Sequence, residues 1–254
     1  MRFFNREEEI EQIYDDAFYA EQSPFSINSA KKIVPYLSTI LPQINSVIDV
    51  GCGIGAWLNE WKLLGKEVFG IDGNEIPDNA RKISYNEYLR CDLEQPFPKL
   101  QKKFDLCSSL EVAEHLTPER AETFVKDLCS FSDIVLFSAA IPGQTGVNHI
   151  NEQWQHYWAD IFLSFGYKPV DVLRDCFWDD SDVGWWYAQN MILYVKSTYL
   201  LPKELVYPNR ILDRVHPKCF EMYYKKEIAK KHEENSVSNS PKHRIKNKLK
   251  KLLK

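Results

Sequence analysis

The chain has no Cys-x-x-Cys pair among its six cysteines, no excess of basic side chains, and no apolar run near the roughly 20 residues that cross a bilayer. Each absence removes a class of function. Cysteines scattered through apolar, strand-like runs read as reduced cytosolic thiols, so neither a zinc site nor a disulfide framework is expected, and no metal at all. Met1-Arg2-Phe3-Phe4-Asn5-Arg6-Glu7-Glu8-Glu9 turns acidic too early for a secretory signal core, which makes the expected location cytoplasmic. A formal net charge of -4 gives no reason to expect a nucleic-acid partner, because phosphate-tracking proteins usually carry a basic surplus. Small acceptors are favoured over nucleotide polymers. What remains is a chain of 254 residues with 44% hydrophobic side chains, enough for one substantial α/β core.

Three of its ten glycines fall within five residues, in Val47-Ile-Asp49-Val-Gly51-Cys52-Gly53-Ile-Gly55-Ala-Trp57. An apolar strand there ends in an acid and runs through alternating glycines into an amphipathic segment. Glycines at such a turn remove the Cβ atoms that would hold a ligand away from free N–H groups, so a nucleotide-like cofactor fits. Gly51-x-Gly53-x-x-Ala56 also satisfies the relaxed dinucleotide fingerprint, and the turn alone does not choose between cofactor classes. Asp49 stands where a buried strand would prefer an apolar residue and can receive an ammonium group. After it, 54–64 reads as a helix with Ile54, Leu58, Trp61, Leu63 and Leu64 on one stripe and Gly65 as its stop. Val68-Phe-Gly-Ile-Asp72 reads as the second strand, with Asp72 positioned to accept hydrogen bonds from both ribose hydroxyls.

Arg90-Cys-Asp92-Leu93-Glu94 closes another extended run. Phe104-Asp-Leu-Cys-Ser-Ser-Leu110 reads as a buried fourth strand, followed at once by Glu111-Val-Ala-Glu-His115-Leu. With these residues the chain resembles the class I S-adenosylmethionine-dependent methyltransferases over about 30–196. A closer likeness follows strand five. Ala139-Ala-Ile-Pro-Gly143-Gln-Thr-Gly-Val-Asn148-His149-Ile-Asn-Glu152-Gln-Trp154 and the later Asp179-Asp180-x-x-Val183-x-Trp185-Trp186-Tyr187-x-Gln189-Asn190 resemble methyltransferases of bacterial surface-glycan gene clusters. Their loop has glycine where this chain has Asn148. The resemblance implies S-adenosyl-L-methionine as cofactor and S-adenosyl-L-homocysteine as product. It implies cofactor contacts from Asp49, Gly51, Cys52, Gly53, Gly55, Trp57, Asp72, Gly73, Asp92, Leu93, Leu110 and Glu111.

Strand and helix patterns alternate from 46 to 196: a weak strand near 83–91, helix 118–130, strand 132–138, helix 152–164, and strands 167–173 and 188–196. Such alternation predicts an α/β fold, a Rossmann-like and mostly parallel sheet with helices on both faces. The resemblance makes it seven-stranded with an antiparallel last strand. Residues 1–45 are expected to form an N-terminal helical cover, with helices at 6–20 and at 28–40, the second capped by Asn28 or Ser29. By resemblance, Tyr19 and Ser29 line the cofactor entrance. Residues 46–196 are the expected cofactor-binding domain and 197–254 a C-terminal helical extension, helical around 218–234. In 242–254, Ile245, Leu249, Leu252 and Leu253 share a helical face among lysines, a pattern suited to weak peripheral contact with an anionic membrane.

Methyl transfer from a sulfonium to a sugar hydroxyl needs a base and close placement, and histidine suits neutral pH. His149, in a loop with Pro142, Gly143 and Gly146, is the expected general base. Glu111 and His115 are the other catalytic candidates. Aromatic walls with polar flanks suit sugar rings, which puts Asn148, Trp154, Trp178, Trp186, Tyr187 and Gln189 at the acceptor. Trp158 reads as packing. The expected activity is O-methylation of a sugar or nucleotide-activated precursor in capsule or lipopolysaccharide synthesis. The alternatives are N- or O-methylation of another small molecule, such as a quinone or lipid precursor, and a non-catalytic cofactor-binding scaffold.

Overall fold

The computed structural model describes residues 16–202, 205 and 211–238, with side chains described for 24–202, 205 and 211–231. The start of the expected first helix and the basic stretch 242–254 lie outside the described residues, as does the side chain of Tyr19. By internal contacts the chain divides into Met1–His216 and Pro217–Lys254. The second unit contains one described helix, α7 (Pro217–Ser238).

The first unit is built on a seven-stranded sheet of β1 (Ser46–Val50), β2 (Glu67–Asp72), β3 (Tyr88–Arg90), β4 (Leu106–Leu110), β5 (Ile134–Ser138), β6 (Tyr167–Val170) and β7 (Ile192–Lys196). The order across the sheet is β3-β2-β1-β4-β5-β7-β6. The first five strands run parallel, and β7 is antiparallel to both β5 and β6. The strand ends that matter are therefore aligned, with Asp49 level with Gly70 and Ser108, and Leu110 level with Ser138. β4 and β5 are buried at every position, as continuous apolar runs in a two-sided sheet require.

Two apolar layers sandwich the sheet. On one face α1 (Asp16–Ile40) supplies Ala30, Ile33, Val34 and Leu37, and α2 (Ala56–Leu63) supplies Trp57, Leu58 and Trp61, packed on Val47, Leu106, Ile134 and Leu193. On the other, α3 (Ala121–Phe131) and α4 (Gln155–Ser164) bring Phe124, Leu128, Trp158 and Phe162 onto Ile48, Cys107 and Phe137. Trp158 is a core residue, its ring tilted against Phe137 with centroids 5.2 Å apart. Each such buried side chain contributes about 1.5–3 kcal/mol of transfer free energy.

Several local expectations need correction. Residues 16–40 form one helix that runs through Pro24 and Pro35, with no break before Asn28. Ser29 lies inside it, its hydroxyl donating to Phe25 O at 2.7 Å and accepting the Gly184 N–H at 2.9 Å. Leu63 and Leu64 are 72% and 42% exposed, because α2 stops at Leu63 and Gly65 reverses the chain at φ 75°. The expected strand 188–196 is two elements, α6 (Trp185–Asn190) followed by β7. α4 starts at Gln155, three residues later than expected. Residues 211–216 belong to the first unit by their contacts: Arg174 Nη1 reaches Leu212 O at 2.6 Å and the His216 N–H reaches Gln189 Oε1 at 2.8 Å.

Candidate active site

The β1–α2 turn is set by its own backbone. Gly51, Gly53 and Gly55 all have positive φ, at 79°, 50° and 79°. At Gly51 an added Cβ would lie 2.3 Å from Val112 Cγ2, so the residue after β4 closes on the turn and leaves no room for a side chain. The Gly51 N–H donates to Ile71 O and the Gly53 N–H to Asp72 Oδ2, both at 2.7 Å, which ties the turn to the end of β2. Asp72 Oδ1 accepts the Asn74 N–H at 2.9 Å. Asp49, also buried, accepts the Ser108 hydroxyl at 2.6 Å. Burial raises the carboxyls of both aspartates; that of Asp49 reaches about 7, with Ser108 pulling the other way and the charge of Asp72 adding to the rise. Two buried carboxylates at one turn form a negative pocket that favours a cationic guest.

A second polar centre forms where β4 and β5 end. Glu111 takes φ 56°, a strained value for a residue with a Cβ, while its N–H donates to Ser138 O at 3.0 Å. Its carboxylate accepts Gln144 Nε2 at 2.8 Å and Asn190 Nδ2 at 3.2 Å. Gln189 and Asn190 in turn donate to Gln144 Oε1 at 3.0 and 2.9 Å. Burial lifts the Glu111 carboxyl to about 7 in spite of the hydrogen bonds from Asn190, Ser138 and Gln144. Next to it the rings of His115 and His149 meet edge to face with centroids 4.9 Å apart. Burial, and then the charge of His149, lower His115 to about 4, so it is neutral at physiological pH.

His149 is oriented by Glu152. Its Nδ1–H donates to Glu152 Oε1 at 2.9 Å, and the same carboxylate accepts the Thr145 and Gly143 N–H groups at 2.7 and 2.8 Å. The partner fixes the tautomer and leaves the Nε2 lone pair of His149 for chemistry. Gly146 is required for this packing, since a Cβ there would lie 2.1 Å from His149 Nε2. Asn148 adopts φ 57°, the left-handed conformation a glycine takes readily and asparagine tolerates, so the change from glycine keeps the loop's shape.

The profile of the family described as "Methyltransferase domain" matches residues 19–168, more than half of the chain. The chain belongs to this methyltransferase family. No curated protein matches it. Among solved structures it is similar to the sugar N-methyltransferase KedS8 of Streptoalloteichus, at TM-score 0.55 and 14% identity over 71% of this chain and 92% of that one. It is also similar to the magnesium protoporphyrin IX methyltransferase of Synechocystis solved with SAH, at TM-score 0.52 and 16% identity over 75% and 100% of the two chains. A third is the 1,6-didemethyltoxoflavin-N1-methyltransferase of Burkholderia thailandensis, at TM-score 0.52 and 18% identity over 74% and 84%.

In this methyltransferase domain the expected cofactor residues divide into two sets. Asp49, Gly51, Cys52, Gly53, Gly55, Trp57, Asp72 and Gly73 lie in the β1–α2 turn, the first turn of α2 and the end of β2, while Leu110 and Glu111 come from the end of β4. Cys91 donates its N–H to Asp72 O at 2.8 Å, so Asp92 and Leu93 follow at the same end of the sheet. Asp92 is exposed, however, and its Oδ1 accepts the Glu94 N–H at 3.0 Å, which commits it to its own turn. Leu93 supports the fold through its carbonyl, which accepts Arg120 Nε at 2.9 Å.

The expected acceptor residues are more dispersed. Trp57 meets Tyr187 at 5.2 Å, Tyr187 meets Trp186 at 5.8 Å, and Trp186 meets Trp185 and Phe25 at 5.6 and 5.4 Å, which joins α1, α2 and α6 in one aromatic row. Trp178 lies farther along, against His216 at 4.9 Å and under the Arg214 guanidinium at 4.2 Å. Trp154 is 37% exposed and Asn148 is exposed. Gln189 is fully buried, with its side chain bonded to Gln144, Asn190 and His216, and braces the site. Sequence reasoning missed Gln144 and Glu114 at this centre. Glu152 had a visible signal, an acid three residues after His149.

Proposed function

We propose that this chain transfers a methyl group from S-adenosylmethionine to a hydroxyl oxygen of a sugar or nucleotide-activated sugar of the kind incorporated into bacterial capsule or lipopolysaccharide. The observation that carries the reading is the Glu152–His149 pair, next to the glycine turn's closing element, in a methyltransferase domain. The cofactor's bound contribution is a methyl carbon on a positively charged sulfur. The residues present fit it: the buried carboxylate of Asp49 suits its ammonium group, Asp72 suits its ribose hydroxyls, and Trp57 starts the wall beside it.

A hydroxyl is a poor nucleophile until it loses its proton. His149, with Nδ1 bound to Glu152, presents Nε2 to activate it, while Glu111 and His115 flank the acceptor and the partly exposed Trp186, backed by Tyr187 and Trp57, is the aromatic surface for the sugar ring. Positioning supplies much of the acceleration, and the base about 10²–10⁴-fold. A second reading keeps the donor and moves the methyl to a sugar nitrogen; the solved neighbour named a sugar N-methyltransferase supports it. Incubation of the protein and S-adenosylmethionine with a panel of nucleotide sugars and amino sugars, read by mass spectrometry for one added methylene unit, tests both. O-methylated product supports the first reading and N-methylated product alone the second. No product from any sugar, with turnover on another small molecule, overturns both.

A further inference from the structure

Glu114 is unexplained by the reading above. Its side chain is fully buried; the main-chain N–H groups of Glu114 itself and of Ala140 are near its carboxylate, but neither oxygen has a partner in good hydrogen-bond geometry, and no side chain or cation among the described residues neutralises it. A buried carboxylate without a neutralising partner points to a positively charged guest. No lysine or arginine among the described residues pairs with it. The charges of Glu111 and Glu152 both bear on it unfavourably, so this corner gathers three carboxylates around two imidazoles. One donor atom each from Glu114, His115 and His149 lies within 4.8 Å of the others.

We infer that Glu114, His115 and His149 hold a divalent first-row transition cation, such as manganese, cobalt or zinc, on which the acceptor hydroxyl is seated. One carboxylate oxygen and two imidazole nitrogens with open positions make a donor set for such an ion, whereas magnesium and calcium prefer oxygen alone. Donors that share one cation with bonds of about 2.1 Å stand about 3–3.5 Å apart, so binding draws these side chains inward by roughly 1 Å. The surroundings fit. Glu152 holds Nδ1 of His149, the carboxylate–histidine arrangement that orients metal-binding imidazoles, and the backbone carbonyl of Glu114 accepts the Ile150 and Asn151 N–H groups at 2.9 and 3.0 Å, which fixes both sides of the site to each other.

The inference rests on the methyl-transfer reading for its consequence and refines how His149 acts: its lone pair holds the cation, and the hydroxyl is activated through the ion. The O–H proton passes to water, the oxygen pair forms the new bond to the methyl carbon, and the S–C bond breaks with its pair left on sulfur.

The test uses the full chain, freed of metal by chelation and titrated with Co²⁺, Zn²⁺, Mn²⁺ and Mg²⁺. Uptake is followed by calorimetry and, for Co²⁺, by its visible absorption. The expected result is one equivalent of transition ion, bound more tightly than magnesium, with at least tenfold weaker binding in Glu114→Gln and in His149→Asn. Glu152→Gln should weaken it by about 10–100-fold. Circular dichroism establishes that each variant folds; should Glu114→Gln unfold, His149→Asn decides. Absence of saturable uptake by the folded wild type, tighter binding of magnesium, or unaltered binding in the folded variants overturns the inference. Cation uptake without sugar methylation would sink the proposed function and leave the site standing. Undiminished sugar methylation by metal-free protein would do the reverse.

Discussion

The glycine turn and the histidine corner occupy the same end of the same sheet and both bury carboxylates, yet they are built differently. At the turn the acids have partners close by: Ser108 for Asp49, and Gly53 and Asn74 for Asp72. The corner draws on 111–115, 144–152 and 189–190, and its most buried acid, Glu114, has no side-chain or cationic partner among the described residues. The turn is complete before any acceptor arrives. The corner holds unspent binding capacity, which is what an acceptor-activating centre needs.

The comparison is most open to attack at His149. His149→Ala should lower kcat by about 10³-fold while calorimetry finds SAH affinity within about twofold of wild type. A large loss of SAH affinity would mean that the two regions are not separate. Next in size is Asp49→Asn, which should weaken SAH binding by about 10–100-fold, the worth of one charge-assisted hydrogen bond, with kcat at saturation nearly unchanged. If kcat falls and affinity holds, the roles assigned to turn and corner are exchanged.

The third effect depends on pH. Burial raises the folded-state pKa of Asp49 from an ordinary 3.8 to about 7. The folded chain therefore holds this proton more tightly than the unfolded one, so the group's stabilising contribution is full below about pH 4 and is lost as pH rises through about 7. An ammonium group bound at Asp49 favours the ionised form. SAH affinity should accordingly rise about tenfold between pH 6 and 8, and the thermal shift that SAH produces should widen over the same interval. A shift that is flat or narrows with pH contradicts Asp49 as the ammonium's partner. The smallest effect is at the rim. Trp178→Ala should raise KM for the acceptor by about 2–10-fold and leave SAH binding alone, the scale of one aromatic contact.

The turn was legible in the sequence because everything that makes it is local: an apolar run, an acid, alternating glycines and a helix. The mostly parallel sheet was legible from the alternation of strand and helix patterns, while the seven strands and the antiparallel last one came from the resemblance. The corner was legible only in part. His149 stood out by its loop, whereas Gln144 looked like any loop glutamine, and its place between Glu111, Gln189 and Asn190 depends on β4, β5 and α6 ending side by side. Glu114 is one of two glutamates in Glu111-Val-Ala-Glu114-His115, and nothing local tells that it is fully buried while its neighbour His115 is partly exposed. The single helix at 16–40 reads as two in the sequence, with a gap at 21–27 that holds Pro24, although packing of Ile33, Val34 and Leu37 holds one continuous helix on the sheet. Gln189 was expected beside the acceptor, and its polar side chain faces instead into a buried network that depends on Gln144, Asn190 and His216 coming together.

The loop that bears His149 has its fastenings at three points. Gln153 N–H donates to Ala140 O at 3.1 Å, Ile150 and Asn151 donate to Glu114 O, and Glu152 gathers the amides of Gly143 and Thr145 from within. A segment that carries its own clasp, and meets the rest of the protein at the Glu114 carbonyl and through the Gln144 side chain, behaves as a cassette. Between members of this family, a swap of 140–153 should transplant an acceptor preference without rebuilding the sheet beneath it.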